Sequence, residues 1–354
     1  MMMFLRTRVS WLNICIVLPI VLFGFLFLAL SFNKAKDGGI FLYYANIAGD
    51  SGASVLRWAC LFLVVVFAVR LAFLLLYFGL RSRPLGEFLA SVFSFQSVWI
   101  YAKARLFLFG ALFFGIALFG LAIGQVNVFS ADHLQDALLV KADLFLTGTF
   151  PAFELAKISY PAAFARLVEF SFFYLGIGMV FFAAYVFLRN KELFREMLAA
   201  FFLANLFMLA GWIAFPALSP HDRFLDNAYA LPVSAEMQAR VSAYRPQAEI
   251  QSVLESVRST KDATLKTLPT TAMPSAHVVW SLMLLFFAAR VSLVAGLIAS
   301  PFAFMSLFGT VFFAQHYFVD IPAGILVFAV VMLCIRALKR ADEQNLAQGG
   351  NPAV

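Results

Sequence analysis

Eight stretches of this chain stay apolar over about 20 residues, the length that crosses a hydrocarbon core of roughly 30 Å as a helix rising about 1.5 Å per residue. They cover about residues 11–31, 55–79, 105–126, 164–188, 194–216, 275–291, 294–314 and 320–338. Backbone N–H and C=O groups in lipid must be satisfied within the segment or in a closed barrel, so uninterrupted runs of this length mean helices. The expected fold is an all-α integral membrane protein with about eight transmembrane helices. Composition agrees: 13% of the 354 residues are charged and the mean hydropathy is +0.90, outside the range of soluble globular domains.

Orientation follows from where Lys and Arg collect, because cationic loops stay cytoplasmic. One set of helix ends carries thirteen basic residues, among them Arg6, Arg81, Arg195, Arg290 and Lys339, against five acidic ones. The other set has twelve basic and fourteen acidic residues. Both termini are therefore expected in the cytoplasm; the non-cytoplasmic side can be periplasmic or lumenal, and a bacterial inner membrane is the expected host. The first run follows Arg6 and Arg8 like a signal peptide but is too long and lacks a small-residue cleavage site, so it reads as a retained span. Cys15, Cys60 and Cys334 fall singly inside apolar runs and suggest no metal or redox pair. The basic pI of 9.4 reflects topology; no basic stripe or aromatic platform points to nucleic acid.

Two loops on the non-cytoplasmic side are long. Residues 127–163 include Lys141 to Pro151, too polar to span, and read as a short amphipathic or re-entrant piece. In residues 217–271, Pro246 suits a first helical turn, and Ile250, Val253, Leu254 and Val257 recur at helical spacing. This predicts a helix lying on the membrane face, either as a lid or merely packed on the loops. Arg70, an ionisable residue inside a span, fits a snorkelling or inter-helix hydrogen-bonding role better than a catalytic one.

Two polar islands stand at the mouths of late spans: Met273-Pro274-Ser275-Ala276-His277 and Gln315-His316-Tyr317-Phe318-Val319-Asp320. His316 and Asp320, four residues apart, can lie one turn apart on one face, so that the carboxylate accepts the imidazole N–H. That contact fixes the tautomer and makes the other ring nitrogen a better nucleophile or base. The same spacing also suits a helix cap or a metal site. His277 follows Pro274 and Ser275 at a helix start, where free N–H groups favour an anion and the Ser275 hydroxyl adds a donor. Pro-Ser is equally an ordinary helix start. Yet two of the four histidines in the chain fall in these two islands, on one face of the membrane and separated by a single hairpin.

Pro274-Ser275-Ala276-His277, followed about forty residues later by His316-Tyr317-Phe318-Val319-Asp320-Ile321-Pro322-Ala323-Gly324, resembles the second and third motifs of the type 2 phosphatidic acid phosphatase superfamily. The resemblance covers about residues 105–338. It divides the chain into an N-terminal two-helix addition (1–104), a six-helix phosphatase-type catalytic core (105–340) with an extracytoplasmic lid loop (217–271), and a disordered tail (341–354). Within the superfamily the chain is more similar to the inositol phosphorylceramide synthase branch. The usual phosphatase first motif, Lys followed by Arg-Pro, is missing, and Thr310 stands where an Arg commonly precedes the second His. Phe215 to Arg223 resembles the branch's proline-rich segment ending in Arg, and Asp143 with Gly148 and Pro151 resembles a further signature.

The resemblance implies lipid phosphotransfer through a phosphohistidine. His316 would be the nucleophile, Asp320 its support, and His277 the general acid and then base. Ser275 and Arg223 would bind phosphate, with Lys261, Lys266 and Arg245 as loop substitutes for the missing cations, while His221 reads as loop structure. No metal or other cofactor is implied. The partners expected are a phospholipid donor, a lipid alcohol such as ceramide or water as acceptor, and the bilayer itself; no nucleic acid is expected. Three other readings stay open: a phosphatase acting on phosphatidate or polyprenyl phosphates, a transporter, and a metal-dependent hydrolase holding its ion with His277, His316 and Asp320.

Overall fold

The structure is a computed structural model that describes residues 10–34, 71–72, 95–130, 133–156, 158–225, 232–242, 270 and 272–348. The expected helix at 55–79, save residues 71–72, lies outside the described residues. So do Arg70, the amphipathic stretch at 246–258, Arg245, Lys261 and Lys266.

In chain order the helices are α1 (Trp11–Lys34), α2 (Phe95–Ser130), α3 (Asp136–Thr147), α4 (Pro151–Ala156), α5 (Ala162–Phe173), α6 (Leu175–Arg189), α7 (Lys191–Ala214), α8 (Ala235–Ser242), α9 (Ala276–Val291), α10 (Leu293–Phe312) and α11 (Asp320–Gln348). A single π-helical turn spans His221–Leu225. Among the described residues, five helices (α1, α2, α7, α10 and α11) are long and apolar enough to cross a membrane, and six if the α5–α6 pair is one span. The protein is therefore membrane-embedded. The run expected as one helix at 164–188 is two, bent by 59° at Tyr174, just before Gly176 and Gly178, which weaken a helix interior. The run at 275–291 forms α9, which at 16 residues is shorter than α7, α10 and α11.

The bundle is built around α7, which buries side chains along its whole length and packs on α1, α2, α6, α9 and α11. Its start is made by Asn190, whose side chain accepts the Leu193 N–H at 3.0 Å, and the turn into α10 by Ser292, which accepts the Ala295 N–H at 3.0 Å. Each cap satisfies one of the donors left free at a helix start, so each helical hairpin turns on one residue. At this end of the bundle the buried Glu196 of α7 pairs with Arg290 of α9 and Lys339 of α11. Asp342 of α11 accepts the first N–H groups of α1, from Trp11 at 2.7 Å and Leu12 at 3.3 Å, and bonds Ser10 as well. Residues 341–348, expected as tail, thus continue α11. Ala-Asp-Glu-Gln-Asn-Leu-Ala-Gln contains no helix breaker before Gly349.

At the other end, α7 holds the first polar island directly. The Trp212 indole N–H donates to the Pro274 carbonyl at 3.0 Å. A Cβ on Gly211 would stand 2.4 Å from the Pro274 ring, so only glycine lets the two approach this closely. The described chain ends and the polar islands therefore lie at opposite ends of α7.

Candidate active site

The second island is a loop, residues 313–319, between α10 and α11. Thr310, buried near the end of α10, turns it: its carbonyl accepts both the Gln315 and His316 N–H groups, at 3.1 and 3.0 Å. The Thr310 hydroxyl donates to the Leu307 carbonyl at 2.6 Å. Ala314 sits at φ 50°, in the left-handed region that costs an L-residue roughly 1–2 kcal/mol, and its carbonyl accepts the His221 N–H at 2.8 Å. His221 thus braces the loop through its backbone, while its ring faces Asp222 at 3.4 Å.

The loop presents a buried His316 whose Nδ1 lies 2.8 Å from the Ala272 carbonyl and 3.3 Å from Asp320 Oδ2. A carbonyl only accepts, so Nδ1 carries the proton and Nε2 holds the free lone pair of the neutral ring. Asp320, fully buried at the start of α11, also accepts the Tyr317 N–H at 2.9 Å through Oδ2. Ala272 is in turn paired with Ala217, its N–H donating to the Ala217 carbonyl at 3.1 Å.

Two carboxylates seven residues apart on α3 hold this loop from above. Asp143 accepts the Phe318 and Val319 N–H groups, at 2.9 and 2.8 Å, one on each oxygen. Asp136 accepts the Tyr317 hydroxyl at 2.7 Å and the Leu218 N–H at 3.1 Å. Burial pushes both carboxyls above the usual aspartate range, against the pull of these donors. Burial, followed by the Asp136 charge, likewise pushes the Tyr317 phenol well above its ordinary value. Tyr317 therefore serves as a neutral donor, and its ring packs in the small core formed by Leu139, Phe150, Phe224 and Ala272.

His277 stands in the first turn of α9, after Ser275, which caps that helix by accepting the Val278 N–H at 3.4 Å. A Cβ on Gly324 of α11 would come 2.9 Å from Val278, so the two helix starts that carry His277 and Asp320 are in close contact. The His277 and His316 ring centroids are 5.8 Å apart, with planes at 64°. Phe172 of α5 lies flat on His277, 4.0 Å away and 13° from parallel. A single phosphoryl group can touch both imidazoles in this arrangement.

The structure therefore brings together His277, His316, Asp320 and Ser275. Arg223 has other partners: it donates to the Pro232 carbonyl at 2.7 Å, stands 4.0 Å from Asp136 Oδ2, and lies over the Phe224 ring at 5.4 Å. Two of its guanidinium nitrogens, Nε and Nη1, are buried with no hydrogen-bond partner. It is joined to His316 through Asp136 and Tyr317. Among the described residues, no group of three His, Cys, Asp or Glu side chains is placed to hold a metal ion.

Comparison with known families matches residues 157–334, just over half of the chain, to the PAP2 superfamily. The chain therefore belongs to this superfamily of phosphatase- and phosphotransferase-type lipid enzymes. No curated protein and no solved structure matches it.

Three contributors to the site go beyond the motif. The Ala272 carbonyl has no side-chain signature. Phe172 is one of 44 phenylalanines, with nothing to single it out. Asp136 does leave a signal, since it lies seven residues before Asp143 on one helical face with Leu139 and Val140 between them.

Proposed function

We propose that this protein is a membrane lipid phosphotransferase of the inositol phosphorylceramide synthase-like branch. It moves a phosphorylated head group, inositol phosphate-like, from a phospholipid to a lipid alcohol such as ceramide. The observation that carries the reading is the pairing of His277 with a His316 whose Nδ1 proton is held by Ala272 and Asp320. That arrangement leaves Nε2 of His316 as the only basic nitrogen of its ring.

The reaction runs in two displacements. His316 Nε2 attacks the phosphorus of the donor; the N–P bond forms as the P–O bond to diacylglycerol breaks, and His277 gives its proton to the departing alkoxide. His277 then takes the proton of the acceptor hydroxyl, whose oxygen attacks phosphorus as the N–P bond breaks. Asp320 stabilises the cationic His316 between the steps. The Ser275 hydroxyl, whose oxygen caps α9, keeps its hydrogen for a phosphate oxygen. Arg223, ion-paired with Asp136 beside the loop, adds positive charge near the site.

Transfer is favoured over hydrolysis by the missing Lys and Arg-Pro motif and by Thr310, whose hydroxyl is committed to its own helix. The reading includes an eight-span topology, with a six-helix core, a lid at 217–271, both termini cytoplasmic and the site on the extracytoplasmic face. The opposite placement of the chain ends and the islands supports it. Purified protein incubated with labelled phospholipid and ceramide tests the proposal by mass spectrometry of the products. A new phosphorylated sphingolipid supports transfer, free phosphate or head-group phosphate released without acceptor points to a phosphatase, and unchanged lipids defeat both.

A further inference from the structure

Beneath the paired imidazoles the bundle is not filled. A cavity of about 260 Å³ lies between α2, α6 and α7 and ends against Trp280 of α9. Its walls are apolar side chains and one glycine. Leu112, Ile116 and Phe119 come from α2, Ala183 from α6, and Phe201 from α7. Enclosed apolar cavities of roughly 150 Å³ accept a small hydrocarbon such as benzene; this one is larger and partly open, so that a flexible chain can enter it.

Its position relates it to the site. Trp280 is one turn below His277, with ring centroids 6.4 Å apart, and stacks on Phe201 at 6.2 Å. Phe119 reaches Trp212 at 6.2 Å, and Trp212 holds the Pro274 carbonyl. The cavity therefore begins under both islands. From Phe201 it follows α7 to Phe194, a further distance of about 10 Å along the helix, away from the polar end of the bundle.

We propose that this cavity receives one hydrocarbon chain of the lipid whose phosphate is held between His277 and His316, and that α2 sets which chain fits. The inference rests on the lipid phosphotransfer reading. A lipid whose phosphate stands at the mouth of the bundle must direct its chains toward the membrane interior, and this space is apolar and adjoins the rings that bracket the phosphate. The family match begins at residue 157, so Leu112, Ile116 and Phe119 place part of chain selection outside the segment shared with the superfamily.

Full-length protein in nanodiscs and a phosphatidate bearing a diazirine at mid-chain test the inference without requiring turnover. Photolysis is expected to label peptides of α2, α6 and α7 that line the cavity, with labelling reduced at least fivefold in Ala183→Phe, which fills it. Adducts confined to lipid-facing positions such as Leu297 and Ile298 of α10, unchanged in that variant, overturn the proposal. In turnover assays the ratio of kcat/KM for dipalmitoyl over dihexanoyl substrates should fall about tenfold in Ala183→Phe. It should rise for chains bulkier than palmitoyl in Ile116→Ala, which enlarges the space. Ratios unchanged in both variants overturn it. A wild-type protein that turns over neither lipid defeats the phosphotransfer reading, and the labelling pattern still decides the fate of the cavity.

Discussion

Phe172 lies flat against His277, 4.0 Å from ring to ring. The stack covers one face of the imidazole, while His316 and Trp280 stand farther off, at 5.8 and 6.4 Å. Pairs of this kind contribute about 0.5–1.5 kcal/mol beyond area burial. Phe172→Ala is expected to lower kcat about fivefold with KM little changed, and Phe172→Tyr to retain most activity. Steady-state assays with both variants check this. Equal losses in the two would mean that the stack does not orient His277.

The two histidines should separate in a labelling experiment. His316→Ala is expected to lose covalent, acid-labile phosphate from a labelled donor and essentially all turnover. His277→Ala should keep the ability to form the adduct slowly, with turnover down roughly 10²–10⁴-fold. Rapid quench with the labelled lipid distinguishes them, and an adduct that survives His316→Ala would refute the assigned nucleophile.

Asp143 clamps Phe318 and Val319, two of the three residues between His316 and Asp320. Asp143→Ala leaves two backbone N–H groups without an acceptor, at about 1–3 kcal/mol for each buried donor. A lower Tm in detergent and a fall in kcat are expected together. Asp143→Asn, with one acceptor oxygen and one competing NH₂, should fall between Ala and wild type.

Burial raises the folded-state pKa of Asp143 and Asp136. Each group therefore favours the folded state below the ordinary aspartate value of about 3.9, and that contribution is lost as pH rises through the raised value. The wild-type Tm is expected to decline with rising pH across this window more steeply than that of Asp143→Asn. Parallel curves would show that Asp143 does not titrate on unfolding.

Gly211 admits the Pro274 ring where a Cβ would stand at 2.4 Å. Gly211→Ala should push the first island off α7, at about 1–3 kcal/mol for overpacking. Thermal denaturation together with activity measures this; an unaffected kcat would mean that the island tolerates displacement.

What is legible in the sequence follows from which interactions leave a pattern there. Runs such as 194–216 and 294–314 announce α7 and α10, because lipid forces every backbone bond inward and hydropathy alone records that demand. The bend at Tyr174 leaves no such record in hydropathy, since both halves of the run are apolar; its one local sign is the pair of glycines at 176 and 178. His277, His316 and Asp320 are readable through side-chain type and spacing. The Ala272 carbonyl that orients His316 is a main-chain acceptor, which any residue provides. Arg223 is readable as a cation near the site, but its pairing with Asp136, which also holds Tyr317, joins distant parts of the chain and leaves no pattern in the sequence. Residues 341–348 read as tail because they are polar, yet polarity does not prevent a helix whose purpose lies at its side.

That purpose concerns Asp342, which serves as the cap of a helix starting 331 residues earlier. During synthesis α1 is inserted long before its cap exists, so its first turn must rely on water or head groups until the last helix is in place. Closure of the bundle is thus a late event, and shortening the chain before Asp342 is expected to loosen its first helix rather than its last.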